Sequence, residues 1–316
     1  MNKKVLPFWV YLTFLLMLLF GHSKVLASLD SSGVELVVLG TLQDAGAPHI
    51  GCTRSCCERL SSENTNELRV VSLGIVDHET GESFMIEATP DMAQQMRHLQ
   101  QISGRRLPNA IAITHAHIGH YTGLMYLGKE ALNSSNLPVF CMPRMMDFLE
   151  ANGPWSQLVQ DKNVQLMPLS HGEGITLNQR IHLTPYRVPH RDEYSETVGF
   201  KIEGPNKTVL FIPDIDKWKE WNMDLAEVIA DSDIAFLDGT FFSSDEIPNR
   251  NISEIPHPMV RETMNLLQSL HKIERQKIHF IHFNHTNPLV NNSSHEQKIV
   301  AKRGYKVAHF DQRFGI

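Results

Sequence analysis

The hydrophobic pattern separates one long N-terminal apolar run from a succession of short apolar segments that alternate with helical stripes. Val5 to Phe20 is almost wholly apolar and follows the basic start Met1-Asn-Lys-Lys; Val25-Leu26-Ala27 then sets small or modest residues before Ser28. This is the pattern of a secretory signal peptide cleaved after Ala27; the alternative is an uncleaved anchor, since the run is long for a signal core and short for a span. Beyond it, Gly33 to Gly40 reads as a strand, and Arg69 to Val76 with Glu82 to Glu87 as a hairpin about Asp77–Gly81. Further strands are predicted at Asn109–Thr114, Pro138–Met142, Val164–Leu169, Ile181–His190, Thr208–Asp214, Ile234–Asp238 and Lys277–His282. Helices are predicted from Pro90 to Gln100, with Thr89 as cap, and from Pro143 to Asn152, where Met145, Phe148 and Leu149 share a face. Another opens at His257-Pro258 and carries the stripe Val260, Met264, Leu267, Leu270. The alternation predicts a mixed α/β fold.

No Pro/Ser/Gly linker, repeat or low-complexity block follows Ser32, so residues 28–316 are expected to form one domain. Cleavage removes Lys3, Lys4 and Lys24 and no acid, taking the formal net charge from −6 to −9. An acidic chain without a basic stripe argues against nucleic acid or an anionic membrane as the main partner. The mature protein is therefore expected to be exported across the inner membrane to the periplasm, with a small molecule as its substrate.

The chemistry gathers where strands end. Thr114-His115-Ala116-His117-Ile118-Gly119-His120 places three imidazoles directly after an apolar strand, and neutral imidazole is the commonest zinc-binding side chain. His190, Asp214, Asp238 and His282 each stand at the end of a later strand, with Asp216 a rival to Asp214. Asp238 is expected to buttress a ligand histidine or to close an Asp-Gly turn. His182 and His279 read as structural. Three of the four cysteines, Cys52, Cys56 and Cys57, fall within a Gly/Pro-punctuated loop region after the first strand, leaving Cys141 as a distant fourth. Their spacing suits either a structural tetrahedral zinc or, in an exported protein, disulfides.

The stretch from Thr114 to His120 resembles the H-x-H-x-D-H signature of the metallo-β-lactamase superfamily, and departs from it in carrying Gly119 at the Asp position. Phe84–Asp91, His190, Asp214 and His282 resemble its later motifs in the same order, over roughly residues 34–310. The Cys-rich loop is similar to that of the phosphonate-pathway cyclic phosphodiesterases and of the coenzyme-PQQ biosynthesis B family, and the His285-Thr-Asn-Pro288 turn also resembles the latter. The resemblance implies an αββα sandwich with its site along one sheet edge. It implies a first Zn²⁺ on His115, His117 and His190, and a second on His120, Asp214 and His282. It also implies a structural zinc on Cys52, Cys56, Cys57 and His285. Asp214 would orient a metal-activated water or bridge the ions, and with His282 is a candidate for the catalytic apparatus. The expected activity is hydrolysis of a phosphodiester, ester, lactone or lactam; the alternatives are an iron-dependent oxidative enzyme and a non-catalytic metal-binding protein. Lacking the Asp at 119, the second ion is expected to bind more weakly, and Gly119→Asp to tighten it unless the backbone there requires glycine.

Overall fold

Along Val34–Gly40 the side chains alternate between two apolar destinations, and every residue of the strand is buried. Val34, Leu36 and Val38 join one cluster with Ile75, Phe84, Phe200, Phe211 and Phe236. Val37 and Leu39 join another with Met85, Leu99, Ile111 and Leu149. A strand covered on both faces is what a near-continuous apolar run encodes. These relations come from a computed structural model that describes residues 33–60, 67–246 and 255–316. The apolar N-terminal run and the cleavage point after Ala27 lie outside the described residues.

Among the described residues the strands form two seven-stranded sheets. The first contains β1 (Val34–Gly40), β2 (Ser72–Asp77), β3 (Glu82–Ile86), β4 (Ala110–Ala112), β5 (Leu137–Cys141), β6 (Val164–Pro168) and β14 (Arg313–Gly315), in the order β14-β1-β2-β3-β4-β5-β6. The second contains β7 (Ile175–Asn178), β8 (Ile181–Arg187), β9 (Val198–Glu203), β10 (Thr208–Ile212), β11 (Ile234–Asp238), β12 (Ile278–Ile281) and β13 (Lys306–Val307), in the order β13-β12-β11-β10-β9-β8-β7. Strands β3 to β6 run parallel, as do β10 to β13, and the remaining neighbours are antiparallel.

The sheets face one another across the cluster that holds Phe200, Phe211 and Phe236. The helices Met92–Ser103 and Pro143–Ala151 cover the outer face of the first sheet through Leu99, Met145 and Leu149. Val260 and Met264 of the helix Val260–Leu266, with Val300 of His295–Lys302, cover the outer face of the second. The architecture is the αββα sandwich. Two predicted helix boundaries move: the helix expected from His257-Pro258 through Leu270 runs only Val260–Leu266, and the first long helix begins at Met92 rather than Pro90. Thr89 and Pro90 instead form a turn in which the Met92 N–H donates to the Thr89 carbonyl at 3.0 Å, while the Thr89 hydroxyl accepts from Asp91 N at 3.0 Å.

The parallel runs β3–β4 and β10–β12 deliver their C-terminal ends to the same rim of the sandwich. In open α/β sheets that rim is where ligands bind. The segments beginning at Glu87, Thr114, Asp214, Asp238 and His282 all leave strands there.

Candidate metal centre

At the rim, ring nitrogens face one another where an ordinary protein interior would set donors against acceptors. His115 Nε2 lies 2.9 Å from His117 Nδ1, and His190 Nε2 lies 3.1 Å from that same atom. Asp214 reaches in among them: its Oδ2 is 3.3 Å from His115 Nε2 and its Oδ1 3.3 Å from His190 Nε2. On the other side, His120 Nε2 and His282 Nε2 each lie 3.8 Å from Asp214 Oδ2. The structure thus brings together all six residues the sequence nominates for the active site.

The second nitrogen of four of these five rings is held by the scaffold, which fixes orientation and tautomer, while His117 Nε2 faces the exposed Glu193 carboxylate at 3.4 Å. Thr114 Oγ1 lies 2.9 Å from His115 Nδ1, the buried Glu87 carboxylate 3.1 Å from His120 Nδ1, Asp216 2.9 Å from His190 Nδ1, and Thr240 Oγ1 2.9 Å from His282 Nδ1. Asp216, the sequence rival of Asp214, therefore stands behind a histidine rather than among the converging nitrogens. Two positions carry backbone in the left-handed region, Glu87 at φ 73° and His282 at φ 67°. Such conformations cost roughly 1–3 kcal/mol each in a non-glycine residue and persist where surrounding contacts over-determine them.

The electrostatics follow from burial among these neighbours. Burial pushes His115 and His282 well below the ordinary histidine range, so both are neutral, the form in which imidazole binds a metal. Burial also opposes charge on His190, but the carboxylates of Asp214 and Asp216 outweigh it and lift the ring to about 10. Burial alone would raise Asp214; the imidazoles of His190, His257 and His282 outweigh it and hold the carboxyl well below its usual range.

The donor set fits a metal on the structure's own terms. His120 Nε2, His282 Nε2 and Asp214 Oδ1 are buried and make no hydrogen bond, although each sits within ion-pairing distance of a neighbour. Leaving such atoms unmatched is costly. Cations held by these side chains would supply the missing partners. His115, His117, His190 and Asp214 could hold one ion, and His120, His282 and Asp44 offer a second group of compatible atoms.

A separate group lies beside this centre. Cys52, Cys56, Cys57 and His285 bring their ligand atoms within 4.8 Å of one another. Cys52 Sγ is 3.9 Å from Cys56 Sγ, and His285 Nδ1 is buried without a hydrogen-bond partner. The His49 N–H donates to Cys57 Sγ at 3.3 Å, and the His49 ring lies 4.3 Å from that of His285. The four cysteines are free thiols, and Cys141 is buried in β5, where desolvation pushes its thiol up to about 12. The disulfide alternative, with Cys141 as distant partner, is not what the fold builds; a Cys₃His group suited to structural zinc is.

A profile of the β-lactamase superfamily domain matches residues 82–283. The chain belongs to the metallo-β-lactamase superfamily. It is 24% identical over 300 residues to coenzyme PQQ synthesis protein B of Methylorubrum extorquens, covering 87% of this chain and 98% of that one. It is 26% identical over 307 residues to the protein of the same name from Rhizobium meliloti, covering 88% and 97%. Among solved structures, Zn²⁺-bound PqqB from Methylobacterium extorquens superposes with a TM-score of 0.75 at 22% identity, covering 89% of this chain and all of that one. A diphosphatase of the PhnP family gives 0.61 at 19% identity, covering 90% and 97%. Superfamily membership and the PqqB-like branch agree with the resemblance carried by the histidine and cysteine motifs.

Two residues at this superfamily site escape the strand-end pattern. His257 precedes a proline, so it reads as a helix start. In the structure it is buried, with Nδ1 2.9 Å from Asp238 Oδ2 and 3.2 Å from Asp214 Oδ1. Asp238 thus supports His257 rather than one of the nominated ligand histidines, and its Oδ1 also accepts from the Thr240 N–H at 2.8 Å. Asp44 sits in the Gly/Pro-punctuated loop after β1 and ends no strand. Its Oδ1 accepts from the Gly119 N–H at 3.1 Å and lies 3.6 Å from His120 Nε2. A Cβ added at Gly119 would stand 2.3 Å from Asp44 Oδ1 and 2.5 Å from its Cα. This corrects the expectation for Gly119→Asp: the obstacle is Asp44 filling the space, and the substituted side chain cannot enter without displacing it. The lone motif carboxylate is missing, but a carboxylate is still present at that point.

Proposed function

We propose that the protein is an exported metal-dependent hydrolase, loaded with zinc, acting on a small phosphodiester, ester, lactone or lactam. One observation carries this reading: three buried unmatched atoms, His120 Nε2, His282 Nε2 and Asp214 Oδ1, lie on the same rim as the mutually facing nitrogens of His115, His117 and His190. A bound divalent cation would supply Lewis acidity and bring the pKa of a coordinated water from about 15.7 toward 7. Asp214 stands between the two groups of nitrogens, where its carboxylate can orient an attacking water. His257, held by Asp238, titrates above the ordinary histidine range because the carboxylates of Asp238 and Asp214 outweigh burial. Its proton is placed to pass to the leaving group as the scissile bond breaks.

A cavity of about 500 Å³ opens beside Asp44 and is lined in part by Arg54, Ile118, Phe241 and Asn284. An apolar wall, an amide and one guanidinium suit a small molecule with an anionic end. In the same reading residues 1–27 form the cleaved signal, residues 28–316 the hydrolase domain, and the periplasm its location. Metal analysis together with turnover of a panel of phosphodiesters, esters, lactones and lactams tests the proposal. Zinc with hydrolysis of any of them supports it; a metal-loaded protein inert on all of them counts against it.

A second reading has its own support. Several curated relatives are named coenzyme PQQ synthesis protein B, and a histidine-carboxylate set also suits iron. Bound iron with oxygen consumption and no hydrolysis would favour an oxidative enzyme.

A further inference from the structure

We propose that Asp44 supplies the anionic ligand of the second metal, and that Gly119 is glycine to make room for it. The superfamily motif would place that carboxylate at 119; this chain delivers it from the loop after β1. Three observations support the exchange. First, Asp44 Oδ1 is on the side of His120 where a ligand is needed, 3.6 Å from Nε2, and with His282 these atoms form a compatible group. His120 Nε2 and His282 Nε2, both fully buried, make no hydrogen bond, and besides Asp44 only the shared Asp214 Oδ2, 3.8 Å from each, is placed to offset charge there.

Second, the loop is fastened to the strand that carries His282. The Gln43 N–H donates to the Phe283 carbonyl at 2.9 Å, the Phe283 N–H donates to the Thr41 carbonyl at 2.8 Å, and Asn284 Nδ2 donates to Gln43 Oε1 at 2.7 Å. Asp44 is one residue from Gln43, and His282 one residue from Phe283. The ladder between their neighbours sets the carboxylate and the imidazole at a fixed separation, before any metal arrives. Third, the two positions exclude each other. Gly119 does not carry the left-handed φ that would demand glycine, yet any Cβ there would collide with the side chain and the backbone of Asp44. With Asp44 absent, glycine at 119 would leave the second ion held by neutral imidazoles and a shared Asp214; Asp44 adds a carboxylate that offsets part of the second dication's charge.

This inference rests on the metal-centre reading, and the experiment separates the two. Wild-type protein, stripped and titrated with Zn²⁺, should take up two ions at the histidine site besides the one retained by the cysteines. In Asp44→Asn the weaker of the two should lose at least tenfold in affinity while the tighter is unchanged. With ¹¹³Cd²⁺ as probe, one histidine-site resonance should move or vanish and the other stay. Gly119→Ala should reproduce the effect from the opposite side by pushing Asp44 away, and it keeps the question answerable if Asp44→Asn does not fold. Wild-type protein that binds no metal at the histidines defeats the metal-centre reading itself. Two ions bound with unchanged affinities in Asp44→Asn or Gly119→Ala, or equal weakening of both, overturns only the role of Asp44. A tighter second site in Gly119→Asp would overturn it as well.

Discussion

His257 and Glu87 show how much a single side chain's partner decides at this rim. Both are buried, and both sit against the metal-site histidines or Asp214, yet the chemistry proposed for them differs. His257 Nδ1 is taken by Asp238, so its role as a proton carrier is separable from metal holding. His257→Gln is expected to retain metal and to lose turnover by roughly a hundredfold, within the range of general acid catalysis. The loss should shrink on substrates whose leaving groups need no proton. Loss of metal in parallel with activity would make His257 a ligand instead. Glu87 holds His120 Nδ1 and also accepts from the Thr114 hydroxyl, which in turn meets His115. Replacing such a supporting carboxylate typically costs about 10–100-fold in metal affinity. Glu87→Gln should therefore weaken metal binding within that range without removing a ligand, as read by chelator competition. Unchanged affinity would mean the strained backbone at Glu87, rather than its charge, orients His120.

At the scale of elements, β12 combines a site residue at its end with a buried titratable residue in its middle. His279 packs between the rings of Phe236 and Phe314, at 5.4 and 5.3 Å, and its Nδ1 meets the Lys277 carbonyl at 3.0 Å. Burial, reinforced by Lys306, lowers it to about 4 from an ordinary 6.5. The folded pKa is depressed, so the unfolded chain takes up a proton first as the pH falls. Stability is whole above pH 6.5 and lost progressively down to pH 4. At about 1.4 kcal/mol per unit, this costs on the order of 2 kcal/mol by pH 5. Urea denaturation at pH 7 and pH 5 should show wild-type protein losing that much more than His279→Leu; equal losses would remove His279 from the acid response. The same strand shows what sequence can and cannot reveal. Its apolar run, its ligand at the end and the packed role of His279 were all legible, because a period-two pattern and a strand terminus are local features. So were β1, the β2–β3 hairpin and the strand ends at Asp214 and Asp238. His257 and Asp44 were not, since neither ends a strand; their proximity to Asp214 and His120 exists only after two sheets have closed. The one usable signal was negative: a missing acid at 119 asks for another from elsewhere, and the loop after the first strand offered one.

The two sheets are joined by more than their shared apolar core. At the edge away from the metal rim, Asp77 of β2 accepts from Arg180 Nη1 at 2.9 Å and from Asn178 Nδ2 at 3.0 Å, tying the β2–β3 hairpin to the β7–β8 hairpin. At the metal rim the corresponding tie is the cysteine group: Cys52, Cys56 and Cys57 come from the segment after β1 of the first sheet, and His285 from the loop after β12 of the second. A metal here would therefore fasten the loop that carries Asp44 to the loop that follows His282. Burial raises the Cys57 thiol to about 11, so without a cation it stays protonated. A bound zinc would replace that proton and contribute directly to folding. Two classes of metal are thus expected. Mild chelation should empty the histidine site, whose ligands are neutral imidazoles and carboxylates, and leave about one zinc per chain at the cysteine thiolates. Cys57→Ser, in contrast, should lose that zinc, lower the melting temperature by several degrees, and weaken metal binding at the histidine site through the released Asp44 loop. Thermal melts and zinc content measured on the same samples decide it. If Cys57→Ser keeps its melting temperature and its histidine-site affinity, the cysteine group is a bystander and the Asp44 loop is held by its backbone ladder to Phe283 alone.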